Sequence, residues 1–445
     1  MNVLFLTQYK DVFLHLSESK RFENVYIAGY SIAEDMFYKK AFRNIGVKCE
    51  SLSLYNVASI DNSDVDYSEE FSRFESYVDL YRSNFKSIKL RRILKNQKLL
   101  RDAVSEKLVD LNIDCVVTWN GLNYLDGTIL DVARELSIKT IYYEMGAFRP
   151  GYITIDSRGV NFDNSVSRKS DFYRSYESVS ENQLESCDEG DSKKVIIDRK
   201  KFISTHYLYK VIDRLLYFIN YKTIKNYSGV VKSNFKKNNY LFDCETVSLE
   251  GRLKEYDRVV FLPLQVPQDT QLLLNYTGDE RQYKLLNDIR KSIVENDNKN
   301  KFKTLLVVKP HPLAKYNKIY FDNEFYSNVY FVKHLETKWL ISNSDLVITI
   351  NSTVGVEAIE ANRPVLVLGS AYYAIQGIAH AWVSKKSTLS EAIDESIKES
   401  DPALQDKFIS YLKEKYQPKI NPDLVYSSRK SYHVEKFFEV LNDKS

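Results

Sequence analysis

The sequence lacks the features that mark disulfide-bonded, zinc-binding and membrane-spanning proteins. Its cysteines are far apart and form no CxxC pair; they are Cys49, Cys115, Cys187 and Cys244. A disulfide framework or a zinc site is therefore not expected, and a reducing compartment fits better. No apolar run approaches the roughly 18 residues of a membrane span. The opening MNVLFL is too short for a signal peptide and predicts a strand. We expect a cytoplasmic protein.

An excess of charge is also missing. Lys and Arg number 63 against 60 Asp and Glu, which leaves a net charge of +3. The chain as a whole is therefore not attracted to nucleic acid, and no nucleic-acid partner is expected. Hydrophobic residues make up 44% of the sequence, as in a globular protein. A chain of 445 residues is long for a single core, so two domains are predicted.

Short apolar runs alternate with helical patterns in both halves of the chain. Such alternation is typical of βαβ units around a parallel sheet. The predicted architecture is therefore α/β, with two Rossmann-like, doubly wound domains facing a central cleft. The first domain is predicted over residues 1–245, with a helical linker at about 193–245, and the second over 246–400. Helices in 401–445 are expected to pack back on the first domain.

The linker is basic. Between Lys193 and Lys237 there are twelve lysines and arginines against Asp198 and Asp213, with leucine and aromatic residues among them. The favoured interpretation is a pair of solvated helices that connect the domains. The alternative is a basic, aromatic surface that meets an anionic glycolipid or the inner membrane.

Polar residues follow two predicted strands of the second half. Lys309 and His311 come directly after TLLVV, and Asn351, Ser352 and Thr353 come directly after LVITI. Ligands of doubly wound sheets bind at the carboxyl ends of the strands. A helix predicted from Val354 would offer unpaired N–H groups to a phosphate, and Glu357 could accept hydrogen bonds from ribose hydroxyls.

Each of these residues also has an ordinary structural interpretation. Ser-Thr before a helix is more often an N-cap than a ligand site, and a histidine before proline is usually structural. Two such loops on one sheet favour the ligand. The FLPLQVPQDTQ segment adds Gln265, Asp269 and Gln271 after another strand, where turn formation is the alternative.

The first half has one stretch rich in reactive side chains, YYEMGAFRPGYITIDSRGVN. Glu144 ends a predicted strand and Asp156 ends a second β-like run, with Arg149 and Arg158 nearby. Two carboxylates could supply an acid/base and a nucleophile, and the arginines could pair with an anionic sugar. A structural salt bridge explains the same residues equally well.

Five ordered blocks resemble the bacterial capsule polysaccharide biosynthesis family, the Kps-type β-Kdo glycosyltransferases. EMGAFRPGYITIDSRGVN is similar to that family's E-x-G-x-x-R-P…G-[VI]-N block, and FLPLQVPQDTQ to its Q-V-x-x-D-[ST]-Q block. KPHP, NSTVGVEA and LGSAYYAIQGIAH complete the set in the same order. The first-strand loop TQYKDVF departs from the family's glycine-bearing loop.

The resemblance implies a GT-B-like fold with a catalytic and acceptor-binding first domain and a nucleotide-sugar-binding second domain. The donor would be CMP-β-Kdo, and the acceptor a saccharide or glycolipid of capsule or O-antigen synthesis. The implied donor-binding residues are Lys309, His311, Asn351, Ser352, Thr353, Glu357, Gln265, Arg149 and Arg158. Asp156 would be the nucleophile of a retaining double displacement, with Glu144 as acid/base. No metal or other cofactor is expected, because the nucleotide is already a good leaving group.

Two other readings stay open. One is a transferase that uses another CMP-nonulosonate, such as CMP-sialic acid. The other is a non-catalytic glycan- or nucleotide-binding subunit of an export complex. Release of CMP from the donor alone separates this last reading from the enzymes.

Overall fold

The chain forms two compact units. The computed structural model describes residues 1–6, 21–44, 46–54, 87–122, 124–149, 151–178, 208–209, 211–212, 240–241, 249–266, 272, 282–312, 317–318, 327–332, 334–417, 419 and 432–443. The first unit comprises Met1–Val160, Glu181–Gly229 and Gln417–Ser445, and the second Asn161–Ser180 and Val230–Tyr416.

The first unit is built on a six-stranded sheet with the order β3-β2-β1-β4-β5-β6. Its strands are β1 (Asn2–Phe5), β2 (Asn24–Ile27), β3 (Cys49–Ser51), β4 (Cys115–Trp119), β5 (Lys139–Met145) and β6 (Ile153–Asp156). The first five run parallel, and β6 pairs antiparallel with β5. All five residues of β4 are buried, as expected for a central strand covered on both faces.

Helices cover both faces of this sheet. They are α1 (Ile32–Asn44), α2 (Ser87–Asp110) and α3 (Tyr124–Glu135). Residues of α2 and α3 pack on the face that carries Leu4, Val116 and Tyr142. The opposite face is covered by α1 and by the last helix, Tyr432–Asn442, which contributes Phe437. Alternate residues of each strand thus enter separate cores.

The second unit repeats the plan. Its six-stranded sheet has the order β11-β9-β8-β12-β13-β14, and all its pairs are parallel. After a short β7 (Tyr240–Leu241), its strands are β8 (Arg258–Pro263), β9 (Thr304–Lys309), β11 (Val329–Phe331), β12 (Leu346–Thr349), β13 (Val365–Val367) and β14 (His380–Ala381). The short β10 (Asn317–Lys318) pairs with β7.

The helices of the second unit are α4 (Ser170–Arg174), α5 (Leu249–Leu253), α6 (Gln282–Asn300), α7 (Thr337–Ser342), α8 (Val354–Glu360), α9 (Leu389–Lys398) and α10 (Pro402–Tyr411). A π-helical turn, Leu412–Tyr416, extends α10. Two caps fix helix starts: Thr388 and Glu391 form a capping box at α9, and the Asp401 side chain accepts from Leu404 N at α10.

The predicted fold class of two Rossmann-like α/β domains is confirmed, since both sheets have the doubly wound order. The antiparallel β6 departs from the expected parallel pairing. The reason is its short connection to β5, because a parallel crossover needs roughly a dozen residues or more.

The compact units differ from the predicted domain boundaries. The helices of 401–445 were expected to pack on the first domain, but α10 belongs to the second unit, where Phe408 packs against Tyr173 and Tyr372. Of the helices described within 401–445, the last one, Tyr432–Asn442, packs on the first sheet. Most of the basic segment lies outside the described residues. Among the helices that the structure describes, none combines the length and the apolar character needed to cross a membrane.

Candidate functional site

Glu144 and Asp156 lie on the two strands of the β5–β6 hairpin. Glu144 is opposite Thr154, and Tyr142 is opposite Asp156. Paired residues and residues two apart share a face, so both carboxylates project from the face that α2 and α3 cover. They are diagonal neighbours, whose Cβ atoms are roughly 7 Å apart in an antiparallel pair. The hairpin therefore brings together the two acids that the sequence singled out.

The turn of this hairpin requires a glycine. The N–H of Gly146 donates to Tyr152 O at 2.8 Å. A Cβ atom at position 146 would lie 2.8 Å from both C and Cβ of Tyr152, which is closer than carbon atoms can approach. The glycine of the EMG motif thus lets the two strands close directly beyond Glu144.

Backbone and side-chain N–H groups hold the Glu144 carboxylate. Oε1 accepts from the N–H of Met145 at 2.9 Å, and Oε2 accepts from Nδ2 of Asn120 at 3.0 Å. Asn120 follows β4 directly and adopts the left-handed conformation with φ +44°. Glu144 is half-buried at the carboxyl edge of the sheet. The arrangement favours one orientation of its side chain.

Asp156 lies deeper in the unit and is 1% exposed. Its Oδ1 accepts from the backbone N–H of Arg158 at 2.7 Å and of Gly159 at 3.3 Å. These bonds close the turn after β6, so the carboxylate has a structural role whatever else it does. They also fix which oxygen faces the backbone.

A buried glutamine, Gln417, bonds two parts of the hairpin that carries the acids. Gln417 Nε2 donates to the hydroxyl of Thr154 at 3.1 Å, and its Oε1 accepts from the N–H of Ala147 at 3.0 Å. Thr154 is the residue across from Glu144 and two positions before Asp156. Gln417 therefore links Ala147 in the hairpin turn to Thr154 on β6.

Both predicted arginines of this region are exposed. Arg149 Nε donates to Gly146 O at 3.3 Å, so this side chain folds back on its own turn. Arg158 is exposed in the turn that directly follows Asp156. Among the ion pairs that the structure describes, neither arginine forms a salt bridge with Glu144 or Asp156. Such a salt bridge was the alternative interpretation. Their role toward an anionic sugar stays a prediction.

In the second unit, Gln265 and Asn351 meet at the point where the strand order reverses. β8 and β12 are neighbours, and the chain winds outward from them in opposite directions. The side chain of Gln265 donates to Asn351 Oδ1 at 2.8 Å, and its Oε1 accepts from Asn351 N at 3.1 Å. This is the position at which doubly wound sheets bind ligands. Gln265 and Asn351 thus shape the loop there by bonding each other.

The NSTVG loop is held from beneath by Tyr373. The Tyr373 hydroxyl donates to Ser352 O at 2.5 Å. A Cβ atom at Gly355 would lie 2.5 Å from that hydroxyl oxygen, so only glycine lets the ring pack there. Burial raises the pKa of Tyr373 well above its usual value, which keeps the hydroxyl a donor. Two of the sequence blocks therefore pack against each other.

The hydroxyls of the loop differ in their contacts. Ser352 Oγ accepts from Val354 N at 3.2 Å, which closes a local turn one residue before the N-cap position, Thr353. The Thr353 side chain forms no capping bond at the start of α8. α8 is short, only the seven residues Val354–Glu360, so its dipole adds little to phosphate binding.

Lys309 is engaged with the loop before α7. Its Nζ donates to Leu335 O at 2.7 Å and to Thr337 Oγ1 at 2.9 Å. Partial burial lowers the pKa of Lys309, and the carboxylates of Glu357 and Glu336 oppose that shift. Glu357 therefore lies near enough to influence the ammonium group. His311 is half-buried two residues after β9.

The structure thus gathers the predicted residues into two sets, one in each unit. Glu144, Asp156, Arg149 and Arg158 belong to the first, and the residues from Gln265 to Glu357 to the second. Asp269 and Gln271 lie outside the described residues. No cluster of three or more His, Cys, Asp or Glu side chains suited to a metal ion occurs in the described part of the chain.

Three residues with direct contacts to these sets were missed from the sequence. Asn120 had a signal, because an Asn-Gly pair after a strand marks a turn with left-handed residues. Tyr373 lies inside the LGSAYYAIQGIAH block but was assigned no role. Gln417 had no signal in the sequence, because it is distant along the chain from Thr154, the residue it contacts.

Comparison with known proteins agrees with the five blocks. The family described as capsule polysaccharide biosynthesis protein matches residues 114–414. Protein FixF of Sinorhizobium fredii is 28% identical over 282 residues, or 63% of this chain and 55% of FixF. The capsule polysaccharide export protein KpsS of Escherichia coli is 26% identical over 265 residues, or 56% of this chain and 65% of KpsS.

The chain therefore spans between about half and two thirds of the length of these two relatives. Among solved structures, the β-Kdo 2,7 transferase KpsC of Thermosulfurimonas dismutans is 16% identical. The alignment covers 95% of this chain and 100% of that one, with a TM-score of 0.41. The family match spans more than half of the chain and contains all five blocks, and the protein belongs to the capsule polysaccharide biosynthesis family.

Proposed function

We propose that the protein is a retaining glycosyltransferase that moves Kdo from CMP-β-Kdo to a saccharide or glycolipid acceptor. The observation that carries the proposal is the pair Glu144 and Asp156, diagonal neighbours on one face of the β5–β6 hairpin. Double displacement needs a carboxylate nucleophile and a second group that handles the acceptor proton. Membership in the capsule family supports a polysaccharide product.

In the first step, an oxygen of Asp156 attacks the anomeric carbon of Kdo. The bond from that carbon to the phosphate of CMP breaks, and its electron pair leaves with the nucleotide. Oδ1 of Asp156 accepts from backbone N–H groups, which fix the orientation of the carboxylate for the proposed attack. Because Asp156 is 1% exposed, the residues that cover it must move when the donor enters.

In the second step, an acceptor hydroxyl attacks the same carbon from the opposite side. Glu144 takes the hydroxyl proton, and the bond to Asp156 breaks with its electron pair returning to the carboxylate. Two inversions at one carbon give net retention. A phosphate ester is a good leaving group without further activation, so the proposal needs no metal or cofactor.

The nucleotide is assigned to the loops at the switch point of the second sheet. His311, Ser352 and Thr353 are proposed to contact the phosphate, and Glu357 the ribose. Gln265 and Asn351 hold the loop between them. Lys309 is assigned to the same site, where its bonds to Leu335 and Thr337 also fix the neighbouring loop.

The test is an intact-mass spectrum after incubation with freshly generated CMP-Kdo and no acceptor. Wild-type protein is expected to gain the mass of one Kdo, and Asp156→Ala is expected to gain none while still binding CMP. Asp163→Ala, which removes an exposed carboxylate nearby in sequence, should behave like the wild type.

Other results would redirect the assignment. CMP release without an adduct would keep the donor and exclude the covalent step. Activity only with another CMP-nonulosonate, such as CMP-sialic acid, would replace Kdo. Neither an adduct nor CMP release with any donor would favour a binding subunit of an export complex.

We further propose that the protein works at the inner face of the cytoplasmic membrane, as a peripheral protein. The segment from Lys193 to Lys237 carries twelve basic residues against two aspartates. Within it, Leu208, Val211 and Ile212 are exposed. Exposed apolar side chains among basic residues suit a surface of anionic lipid.

A further inference from the structure

Asn120 is fixed in place beside Glu144. Its N–H donates to Tyr143 O at 2.7 Å, which continues the β4–β5 register by one residue. Its Oδ1 accepts from the N–H of Leu122 at 3.1 Å. Because the carbonyl oxygen is occupied in this way, the amide NH₂ group points to Glu144 Oε2 at 3.0 Å. The side-chain amide thus has one orientation, set by its neighbours.

The backbone at this position restricts which residue can stand there. Asn120 has φ +44°, and Gly121 follows with φ +69°. Asparagine, aspartate and glycine are the residues that adopt the left-handed region most readily. Of these three, only asparagine can donate a side-chain N–H. The backbone conformation and the hydrogen bond to Glu144 together explain why position 120 is an asparagine.

The hydrogen bonds to Glu144 affect the charge state of its carboxylate. Its two oxygens accept from different N–H groups, Met145 N and Asn120 Nδ2. Hydrogen bonds donated to a carboxylate favour its ionised form. An ionised carboxylate can take a proton but has none to give. The geometry therefore suits a base and does not suit an acid.

We propose that Asn120 is a positioning residue that holds Glu144 as an ionised general base for the acceptor step. This inference rests on the proposed function and divides its two steps. Attack of Asp156 on the donor needs no proton from Glu144, because CMP leaves as a phosphate anion. Attack by the acceptor needs Glu144 to remove the hydroxyl proton. Asn120 therefore acts in the second step and is dispensable in the first.

The informative variant is Asn120→Asp. Aspartate has nearly the same shape, tolerates the left-handed backbone and keeps an oxygen for the N–H of Leu122. It replaces the donated hydrogen bond with a second carboxylate oxygen next to Glu144, so the two acids share one proton and the base is lost. General bases contribute roughly 10²–10⁴-fold, so transfer to the acceptor should fall by about 100-fold. Adduct formation with donor alone should stay within about twofold of wild type.

An assay with azide distinguishes a role in proton removal from a purely structural role of Asn120. Azide carries no proton, so it can attack the anomeric carbon of the adduct and release Asp156 without a base. Turnover of Asn120→Asp with azide should therefore match that of the wild type. Asn120→Gly, which also suits the left-handed backbone, should show the same division between the two steps if the aspartate variant folds poorly.

Asn112→Asp is the matched control. Asn112 also has a left-handed backbone, with φ +47°, and is exposed in the turn after α2, so this variant should match the wild type in every assay. Equal transfer by Asn120→Asp and the wild type would overturn the inference, as would a parallel loss of adduct formation or failure of azide to restore turnover. An absent adduct in the wild type would exclude the covalent step of the proposed function, and this inference with it.

Discussion

Three polar residues at the edge of the second sheet are bonded to each other or to a neighbouring loop. Gln265 and Asn351 bond each other, and Lys309 bonds the loop before α7. These residues shape the loops, and their removal would disturb the site through its geometry. His311 stands between two prolines directly after β9. Its position makes it the best single probe of nucleotide binding.

We expect His311→Ala to weaken CMP binding by about 10–100-fold. A hydrogen bond to a charged phosphate contributes roughly 1.5–3 kcal/mol, and about 1.4 kcal/mol corresponds to a factor of ten in affinity. Isothermal titration calorimetry with CMP measures the effect without donor chemistry.

The control is His334→Ala. His334 belongs to the same unit and is exposed in the loop before α7, so its loss should leave CMP affinity unchanged. If both variants bind CMP as the wild type does, the loop after β9 does not hold the nucleotide.

At the scale of elements, the NSTVGVEA and LGSAYYAIQGIAH blocks pack against each other. Tyr373, from the loop after β13, supports the start of α8 through Ser352 O and packs against Gly355. β13 also pairs with β12, the strand from which that loop emerges. The switch-point loop therefore depends on the correct packing of the next connection.

Gly355→Ala should test this dependence. The added methyl group would lie 2.5–2.6 Å from the hydroxyl and ring atoms of Tyr373. The ring is buried and cannot move freely, so overpacking of this kind should destabilise the protein by about 1–3 kcal/mol. Urea unfolding followed by far-ultraviolet circular dichroism measures the change.

Gly251→Ala supplies the comparison in the same unit. Gly251 is exposed in α5, and a Cβ atom there meets nothing within 4 Å. Alanine is the better helix former by up to about 1 kcal/mol, so this variant should be as stable as the wild type or more so. A Gly355→Ala protein with the same midpoint would mean that Tyr373 does not constrain the loop.

The elements were largely predictable from sequence, and the contacts between them were not. Apolar runs such as TLLVV and LVITI mark buried parallel strands directly, and the strand-end rule then placed Lys309 and Asn351 at one edge. The Gln265–Asn351 pair depends on β8 and β12 being neighbours, which is a property of strand order. Asn120 reaches Glu144 for the same reason, through the β4–β5 pairing. Sequence patterns report which face is buried and do not report which strand lies alongside.

On the scale of the whole molecule, each unit carries one part of the proposed reaction. The two carboxylates belong to the first unit and the nucleotide loops to the second. The chain also spans only part of its curated relatives. The surface of this chain carries the features that bear on where in the cell it acts.

The first unit has an exposed apolar and basic surface. Tyr209 of the basic segment packs against Phe37 of α1, with 5.3 Å between ring centroids. On either side of this contact, Met36 is 59% exposed and so is Leu208. Lys40 and Arg43 are exposed further along α1. Apolar insertion and attraction to anionic lipid would act on the same surface.

We expect the protein to sediment with vesicles that contain phosphatidylglycerol and not with vesicles of phosphatidylcholine alone. The binding should weaken as salt is raised, because screening shortens the reach of the basic residues. Changing Leu208, Val211 and Ile212 to serine should reduce binding by at least about tenfold, since burying each apolar side chain contributes roughly 1.5–3 kcal/mol. Val109→Ser with Leu136→Ser removes exposed apolar residues elsewhere on the same unit and should have no effect.

Activity on a soluble acceptor separates lipid contact from catalysis. Neutralising Arg199, Lys200, Lys201, Lys236 and Lys237 should lower vesicle binding and leave that activity intact, because the proposed chemistry uses none of them. A parallel loss of activity would assign the segment to the catalytic structure. Equal binding to neutral and anionic vesicles would exclude electrostatic recognition of lipid, and no binding to either would leave the solvated linker as the better description.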